Sequence, residues 1–318
     1  MIFRKIQGTN FKSSILGYGT WGLAGNSYGR ISKKESSYLL KHALSKQINY
    51  FDTSSLYGNG SVEKLLGETF SNYEKQKIII ATKIGMVENK KNIFLPKFDF
   101  KKENLQKEIF KSMRRLKTDS LDVLQLHSPK FSFIKSEKFL NVVDLLKENQ
   151  KKGNIKYFGI SVQKPEEAFY ILKKKFNFSV IQINFNLLDM RAYSLGVFKL
   201  ARKRRVSIIT RTPMAMGLLN TNKIVIKKNN DHRIRFNRKN LELLRSVSKK
   251  YDAHFGDKIP LKTLALKFAV FDEIICSTLS GMMTKKEIDD NSQFTKSKFS
   301  IKNNLGRIKS IYRNYFLV

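Results

Sequence analysis

The feature that most limits what this chain can become is an alternation. Eight short β-rich runs are each followed by a stretch of helical periodicity, with no compositional break between them. Strands are expected at residues 14–19, 49–52, 77–83, 121–127, 155–161, 180–184, 207–212 and 274–278. Helices are expected at residues 32–47, 61–70, 101–116, 141–152, from Pro165 onward, and at 191–204, 240–248 and 261–271. Capping boxes open two of the helices, Ser32-Lys33-Lys34-Glu35 and Thr284-Lys285-Lys286-Glu287. A short hairpin over residues 3–15, turning at Gly8-Thr9-Asn10, precedes the alternation, and a helical tail over 301–316 follows it. Residues 219–231 are polar and basic and read as an insertion.

Strand–helix alternation implies an α/β fold with a parallel sheet. The strand runs are near-continuously apolar, as required when both faces of a sheet are covered. Polar residues gather where the strands end: Asp52, Lys83, His127, Ser161, Asn184, Thr212 and Ser280. Eight such units close into a (β/α)8 barrel of the TIM type, whose active sites lie on that rim. An open doubly wound sheet also binds ligands at strand C-termini, so the rim is located more firmly than the fold. One domain spanning residues 1–318 is expected.

Four rim residues have complementary chemistry. A phenol is a weak acid, with an ordinary pKa of about 10. A lysine beside Tyr57 favours the phenolate and lowers that value. A buried Lys83 needs a counter-charge, which Asp52 supplies. His127 can orient a substrate oxygen or share the proton. Each alone has an ordinary structural explanation; four at or near successive strand ends form a proton donor aimed at a carbonyl. Such a site lacks a reductant or nucleophile; the sequence offers no Ser–His–Asp pattern, cysteine nucleophile or metal-ligand cluster, and a hydride-donor cofactor would supply one.

Composition closes other routes. With one cysteine, Cys276, no internal disulfide can form, which fits a reducing, cytoplasmic setting. No secretory signal follows Met1, and no run approaches the roughly 18–20 apolar residues of a membrane span. The net charge is +35, from 61 Lys+Arg against 26 Asp+Glu. The lysines are dispersed over predicted helices, with denser patches at 202–205 and 223–239, and no nucleic-acid motif accompanies them. A compositional bias toward basic residues is preferred to nucleic-acid binding, and the expected partner is a small carbonyl compound.

The sequence resembles the aldo-keto reductase family over nearly its whole length. The resemblance is carried by Gly17-Tyr18-Gly19-Thr20-Trp21-Gly22, Asn49-Tyr50-Phe51-Asp52-Thr53-Ser54-Ser55-Leu56-Tyr57-Gly58, Ile80-Ala81-Thr82-Lys83, Leu124-Gln125-Leu126-His127-Ser128-Pro129 and Gly159-Ile160-Ser161. It implies a (β/α)8 barrel holding an extended nicotinamide dinucleotide. Tyr57 would donate the proton, Lys83 and Asp52 would tune it, and His127 would orient the carbonyl. Cofactor contacts are implied for Gly19, Thr20, Trp21, Asp52, Ser161, Gln182, Arg211, Thr212, Pro213, Met214, Gly281, Thr284 and Asn291. Glycines 17, 19 and 22 spell G-x-G-x-x-G, but residues 23–30 read as loop rather than as the helix a Rossmann turn needs.

Two departures stand out. Val162 follows Ser161 where many members have asparagine. Arg211 stands where many have an aromatic residue that stacks on the nicotinamide; the alternative is that Arg211 points away to an acid. NADPH is the implied cofactor and NADH is possible, because Met283 and Glu287 occupy positions where arginines can meet a 2′-phosphate; Lys285 or Lys286 could supply that charge. The implied activity is reduction of an aldehyde or ketone to an alcohol. The competing reading is a cofactor-binding regulatory or scaffold protein on the same barrel, and a more distant one is a nucleic-acid-associated protein.

Overall fold

The computed structural model describes residues 1–25, 28–74, 77–89, 96–219 and 238–316, with side chains from residue 240 in the last stretch. Eight parallel strands close into a barrel. They are β1 (Leu16–Gly19), β2 (Tyr50–Asp52), β3 (Ile79–Ile84), β4 (Leu121–His127), β5 (Ile155–Ser161), β6 (Val180–Asn184), β7 (Ser207–Arg211) and β8 (Ile275–Ser280). Each pairs with its sequence neighbours, and β8 returns to β1. Outside run α1 (Lys33–Ser45), α2 (Ser61–Phe70), α3 (Lys102–Leu116), α4 (Glu137–Lys151), α5 (Pro165–Lys174) and α6 (Val197–Arg204). They are followed by α7 (Arg238–Phe255), α8 (Leu261–Ala269), α9 (Lys285–Ser292) and the tail helix α10 (Ile301–Phe316). The closed barrel decides against the open sheet.

The two-residue repeat of a strand explains both core and rim. Inward positions grade from apolar to polar: Ile79, Ala81, Lys83 on β3; Val123, Gln125, His127 on β4; Val180, Gln182, Asn184 on β6. The apolar members join Tyr50, Ile209 and Cys276 in one buried cluster. The polar members make the rim. Outward residues such as Leu124, Leu126, Ile181 and Ile183 pack with the helices in a second, larger cluster. Each fully buried Leu or Ile contributes about 1.5–3 kcal/mol, and a one-residue slip of any strand would turn its inward residues onto the helices and its outward residues into the barrel.

The expected hairpin forms from Phe3–Lys5 and Lys12–Ser14 and seats Ile6 against the inner cluster. Arg4 fastens it: its Nη1 donates to the carbonyls of Val270 (2.8 Å), Asp272 (2.9 Å) and Ile275 (2.7 Å). At the other end of the chain the Tyr251 hydroxyl donates to the Leu187 and Ile308 carbonyls, both at 3.1 Å, tying α7 to the tail helix.

Several boundaries differ from expectation. The helix expected at 191–204 breaks into Arg191–Ser194 and Val197–Arg204, because Gly196 adopts φ 79°. A one-turn helix, Phe131–Ile134, precedes α4, which starts earlier than residue 141, and α7 runs beyond 240–248 on both sides. A small ladder pairs Met86–Val87 with Lys97–Phe98 after β3. The basic patch at 202–205 caps the C-terminus of α6, where Arg202 pairs with Asp272 at 2.6 Å and Arg204 Nε donates to the Leu172 carbonyl at 3.2 Å. Cations at a helix C-terminus are stabilising, which accounts for much of that patch. Residues 220–237, most of the basic insertion and of the 223–239 patch, lie outside the described residues. Among the described residues no helix is long and apolar enough to cross a membrane.

Candidate active site

The rim is organised by Lys83. Its Nζ lies 2.6 Å from Asp52 Oδ2, 2.8 Å from the Thr53 carbonyl and 3.3 Å from the Tyr57 hydroxyl. The lysine is 1% exposed and Asp52 4% exposed, so this is a buried ion pair. Register makes it: Asp52 pairs with Ala81, and Lys83 follows on the same inward face of β3. Burial alone would lower the Lys83 pKa, but Asp52 and Tyr57 more than offset it and Lys83 ends above its ordinary value.

Tyr57 reaches the lysine from a turn. Gly58, Asn59 and Gly60 take φ 55°, 52° and 85° in succession. A Cβ on Gly58 would meet only Ser61 Oγ closely, at 2.2 Å, and that hydroxyl can turn aside, so the turn favours glycine for its positive φ. One expectation fails here. Lys83 was to bring the phenol below its ordinary pKa; the phenol instead lies above it. Burial is the largest influence and raises it, Lys83 opposes in the expected direction, and Asp52 raises it further.

His127 closes the group. Its ring meets that of Tyr57 edge-on at 6.1 Å, and its Nδ1 lies 3.0 Å from Ser54 Oγ. Burial first, then the charges of Lys83 and Arg211, hold its pKa well below 6.5. The ring is therefore neutral at pH 7. A neutral ring has one N–H; which nitrogen carries it follows from what Ser54 donates or accepts.

Asp52 is held from the far side of the barrel. Gln182 Nε2 donates to Oδ1 at 2.7 Å, and Gln125 Nε2 stands at 3.5 Å. Ser161 Oγ donates to Gln182 Oε1 at 3.3 Å and lies 3.5 Å from Ser128 Oγ. Thr20 is fully buried, and its hydroxyl donates to the Asp52 carbonyl at 2.8 Å. Sequence reasoning did not single out Gln125 or Ser54. The signal for Gln125 was a lone polar residue between Leu124 and Leu126, in an apolar strand.

Arg211 does not turn away to an acid. It pairs in register with Asn184, in phase with Gln182, so its side chain shares the inward face. Its Nη2 donates to the Val162 carbonyl at 2.9 Å, crossing the end of β6 to reach the end of β5. Among the described residues no carboxylate pairs with it. The following loop is strained: Thr212, Ala215 and Met216 have φ 58°, 46° and 59°, conformations non-glycine residues seldom hold. Thr212 Oγ1 lies 3.1 Å from Asn184 Oδ1, and the Thr212 carbonyl accepts from Asn186 Nδ2 at 2.9 Å. Pro213 is buried and Met214 half-buried.

The end of β8 faces this loop's neighbour. Gly19 and Gly281 lie backbone to backbone: a Cβ on Gly281 would meet only the Gly19 carbonyl, at 3.8 Å. Asn291 is buried, donates to Ser280 Oγ at 3.2 Å, and leaves its Oδ1 without a partner. The capping box forms: Thr284 Oγ1 accepts from Glu287 N–H, and Glu287 accepts from the N–H groups of Met283 (2.6 Å) and Thr284 (3.1 Å). Glu287 is thus occupied as the cap, Lys286 lies 3.2 Å from Asp290, and exposed Lys285 has no ionic partner among the described residues. After β1 the chain makes the short turn Thr20–Ala24 rather than a long helix, which rules out the Rossmann reading of the glycines. A Cβ on Gly22 would stand 2.5 Å from Met283 Sδ, so that glycine serves packing. Trp21 meets Tyr28 edge-on at 5.9 Å.

Comparison with known proteins identifies the family. The chain is 26% identical over 300 residues to L-galactose dehydrogenase of Arabidopsis thaliana, covering 91% of this chain and 86% of that one. It is 29% identical over 218 residues to the uncharacterized oxidoreductase YqkF of Bacillus subtilis, covering 68% and 66% of the two chains. In fold it matches the holo form of aldo-keto reductase AKR11C1 from Bacillus halodurans, with TM-score 0.79, 24% identity, and 98% and 96% coverage. The model of the Aldo/keto reductase family matches residues 15–313. The chain belongs to the aldo-keto reductase family of NAD(P)H-dependent oxidoreductases.

Proposed function

We propose that the protein reduces an aldehyde or ketone to an alcohol, with Tyr57 as proton donor and a nicotinamide dinucleotide as hydride source. The observation that carries this reading is the single buried ammonium, Lys83, bonded at once to Asp52 and to the Tyr57 hydroxyl.

The roles follow from charge. Tyr57, with its pKa above the ordinary value, is fully protonated at neutral pH and always ready to donate. When it has donated, a phenolate stands 3.3 Å from the Lys83 ammonium, which stabilises it in a poorly solvated site. Asp52 keeps Lys83 charged and in place. Neutral His127 offers a hydrogen bond to a carbonyl oxygen without competing for the proton. The regeneration of Tyr57 then falls to solvent, through its half-exposed side.

The residues fit a dinucleotide. The Gly19–Gly281 approach leaves a cradle that a Cβ would fill, and the buried Asn291 Oδ1 needs a donor. Ser161 and Gln182 would hold the carboxamide end. Thr212, Pro213 and Met214 would hold the middle, and Gly281, Thr284 and Asn291 the adenosine end, with Thr20 and Trp21 supporting from β1. The bound group would supply a hydride at the mouth of the barrel. Lys285 favours the 2′-phosphate of NADPH, while the capping carboxylate of Glu287 opposes it, so NADPH is the expected cofactor and NADH an accepted one. Phe98, Phe100 and Phe133 stack in sequence, at 6.3 and 5.0 Å, beside the mouth and give a substrate pocket an apolar wall.

Tyr57→Phe tests the proposal. Turnover of NADPH with a carbonyl panel should fall by about 10²–10⁴-fold, the usual share of a general acid, while fluorescence titration shows dinucleotide affinity little changed. Wild-type rates in this variant would remove Tyr57 from the mechanism.

A further inference from the structure

Among the described residues Arg211 is an inward-facing cation at the mouth that the proton transfer does not use. Register fixes its direction: it is paired with Asn184 and in phase with Gln182, which reaches across the barrel to Asp52. Its guanidinium spans from β7 over the end of β6 to the Val162 carbonyl, directly after Ser161. Ser161 is itself bonded to Gln182 and in register with His127. The charge is half-buried, its Nε has no hydrogen-bond partner, and no carboxylate among the described residues forms an ion pair with it; Asp52, Asp189 and Glu167 act on it only at longer range. It acts on the reaction centre, lowering the pKa of both Tyr57 and His127.

A cation without a direct counter-ion here bears on the reaction's charge balance. Reduction moves a hydride to the carbonyl carbon and a proton from Tyr57 to its oxygen. The electron pair leaves the nicotinamide ring, which changes from neutral to a charge of +1. For hydride to pass, ring and carbonyl must sit in near contact, about 3–3.5 Å apart, and the carbonyl must sit within reach of Tyr57. A ring held there would share the barrel mouth with the guanidinium, whose charge already reaches Tyr57 and His127. Two like charges in a poorly solvated site repel far more than in water.

We infer that Arg211 makes this barrel discriminate by redox state, holding the reduced dinucleotide and expelling the oxidised one. This rests on the carbonyl-reductase reading of the same site. Its consequence is directional: the oxidised product leaves readily and inhibits weakly, so the enzyme works as a reductase even where oxidised cofactor is abundant. An aromatic residue at this position would contact the ring without regard to its charge.

The experiment is a titration rather than an assay. Dissociation constants for NADPH and NADP⁺, and for NADH and NAD⁺, are measured by calorimetry on the wild type, Arg211→Met and Arg211→Lys. The wild type should bind the reduced form more tightly than the oxidised form by at least about tenfold more than Arg211→Met does, a difference worth about 1.4 kcal/mol. Arg211→Lys keeps the charge and should keep most of the preference, which separates charge from shape. If Arg211→Met does not fold, as far-ultraviolet circular dichroism would show, the lysine variant and the salt dependence of the wild-type ratio carry the test: the ratio should shrink with ionic strength. Equal ratios in wild type and Arg211→Met overturn the inference while leaving the reductase reading intact. Failure of the wild type to bind any of the four dinucleotides overturns that reading and the inference with it.

Discussion

The two sides of the barrel mouth are built by different means. On the β2–β4 side, Asp52, Lys83 and His127 project from strand ends, where register alone fixes them, and Tyr57 joins through one glycine-dependent turn. The Asp52–Lys83 pair there is almost wholly buried and fully bonded. On the β7–β8 side the main features are backbone: a loop with three non-glycine residues at positive φ, a glycine pair and a capped helix end. Here Arg211 Nε and Asn291 Oδ1 remain without partners. A side-chain site tolerates no loss of a member, because each buried charge is held by the others. A side built from backbone tolerates side-chain change better, because its shape rests on φ angles and a glycine pair rather than on a network of charges. Of the departures noted in the sequence, Arg211, Met283 and Glu287 fall on the second side, and Val162 stands between the two sides at the end of β5.

The largest effect should therefore come from splitting the buried pair. Lys83→Met leaves the Asp52 carboxylate with Gln182 and Gln125 alone. Removing one partner of a buried ion pair costs about 3–5 kcal/mol, which denaturant unfolding would register as a lowered midpoint with an unchanged slope. Adding Asp52→Leu to Lys83→Met should return most of that stability and none of the turnover. A single variant as stable as the wild type would mean that the pair is not the organising charge of the rim.

A smaller effect is expected across the mouth. Thr284→Ala removes the side-chain half of the α9 capping box and should lower stability by about 1 kcal/mol. The Michaelis constant for the dinucleotide should rise more than turnover falls if the capped turn holds the cofactor, as proposed, and takes no part in proton transfer. The reverse split, with turnover falling at saturating cofactor, would place this helix in the reaction centre and break the division between the two sides.

This division also explains how much the sequence revealed. Asp52, Lys83 and His127 were legible because strand periodicity names the end of each strand and chemistry names the residue standing there. Gln182 was legible only through family resemblance. Gln125 was visible in principle, as a polar residue on the inward phase of an apolar strand, but a lone amide has no chemistry that points to its partner across the barrel. Ser54 lay hidden in the run Thr53-Ser54-Ser55, where nothing in spacing distinguishes the hydroxyl that meets His127. The positive φ of Thr212, Ala215 and Met216 left no trace, since glycine, the usual mark of such backbone, enters only at Gly217. The sense of the Tyr57 shift was missed for a different reason. The sign of the lysine's influence follows from residue type, but desolvation, which outweighs it, depends on packing that no local stretch encodes.

The smallest expected effect needs no change to the site other than its protonation. His127 titrates well below 6.5 in the folded protein, owing to burial and then to Lys83 and Arg211. In the unfolded chain a histidine titrates near 6.5. Between those two values the unfolded state binds a proton that the native state refuses. The stability that neutral His127 contributes is thus complete above about pH 6.5 and is lost as pH falls below it. One group contributes a slope of at most about 1.4 kcal/mol per pH unit. Carboxylates titrate in the same acid range, so the measure is the difference between wild type and His127→Gln, followed by denaturant unfolding from about pH 7.5 down to about pH 4.5. The variant should lose stability with the shallower slope. Turnover should be flat through neutrality, because Tyr57 and Lys83 both titrate above their ordinary values and His127 below its own. A wild-type inflection near pH 6.5 that disappears in His127→Gln would mean that the histidine is charged when it works, and that the β2–β4 side is less sealed from water than its burial implies.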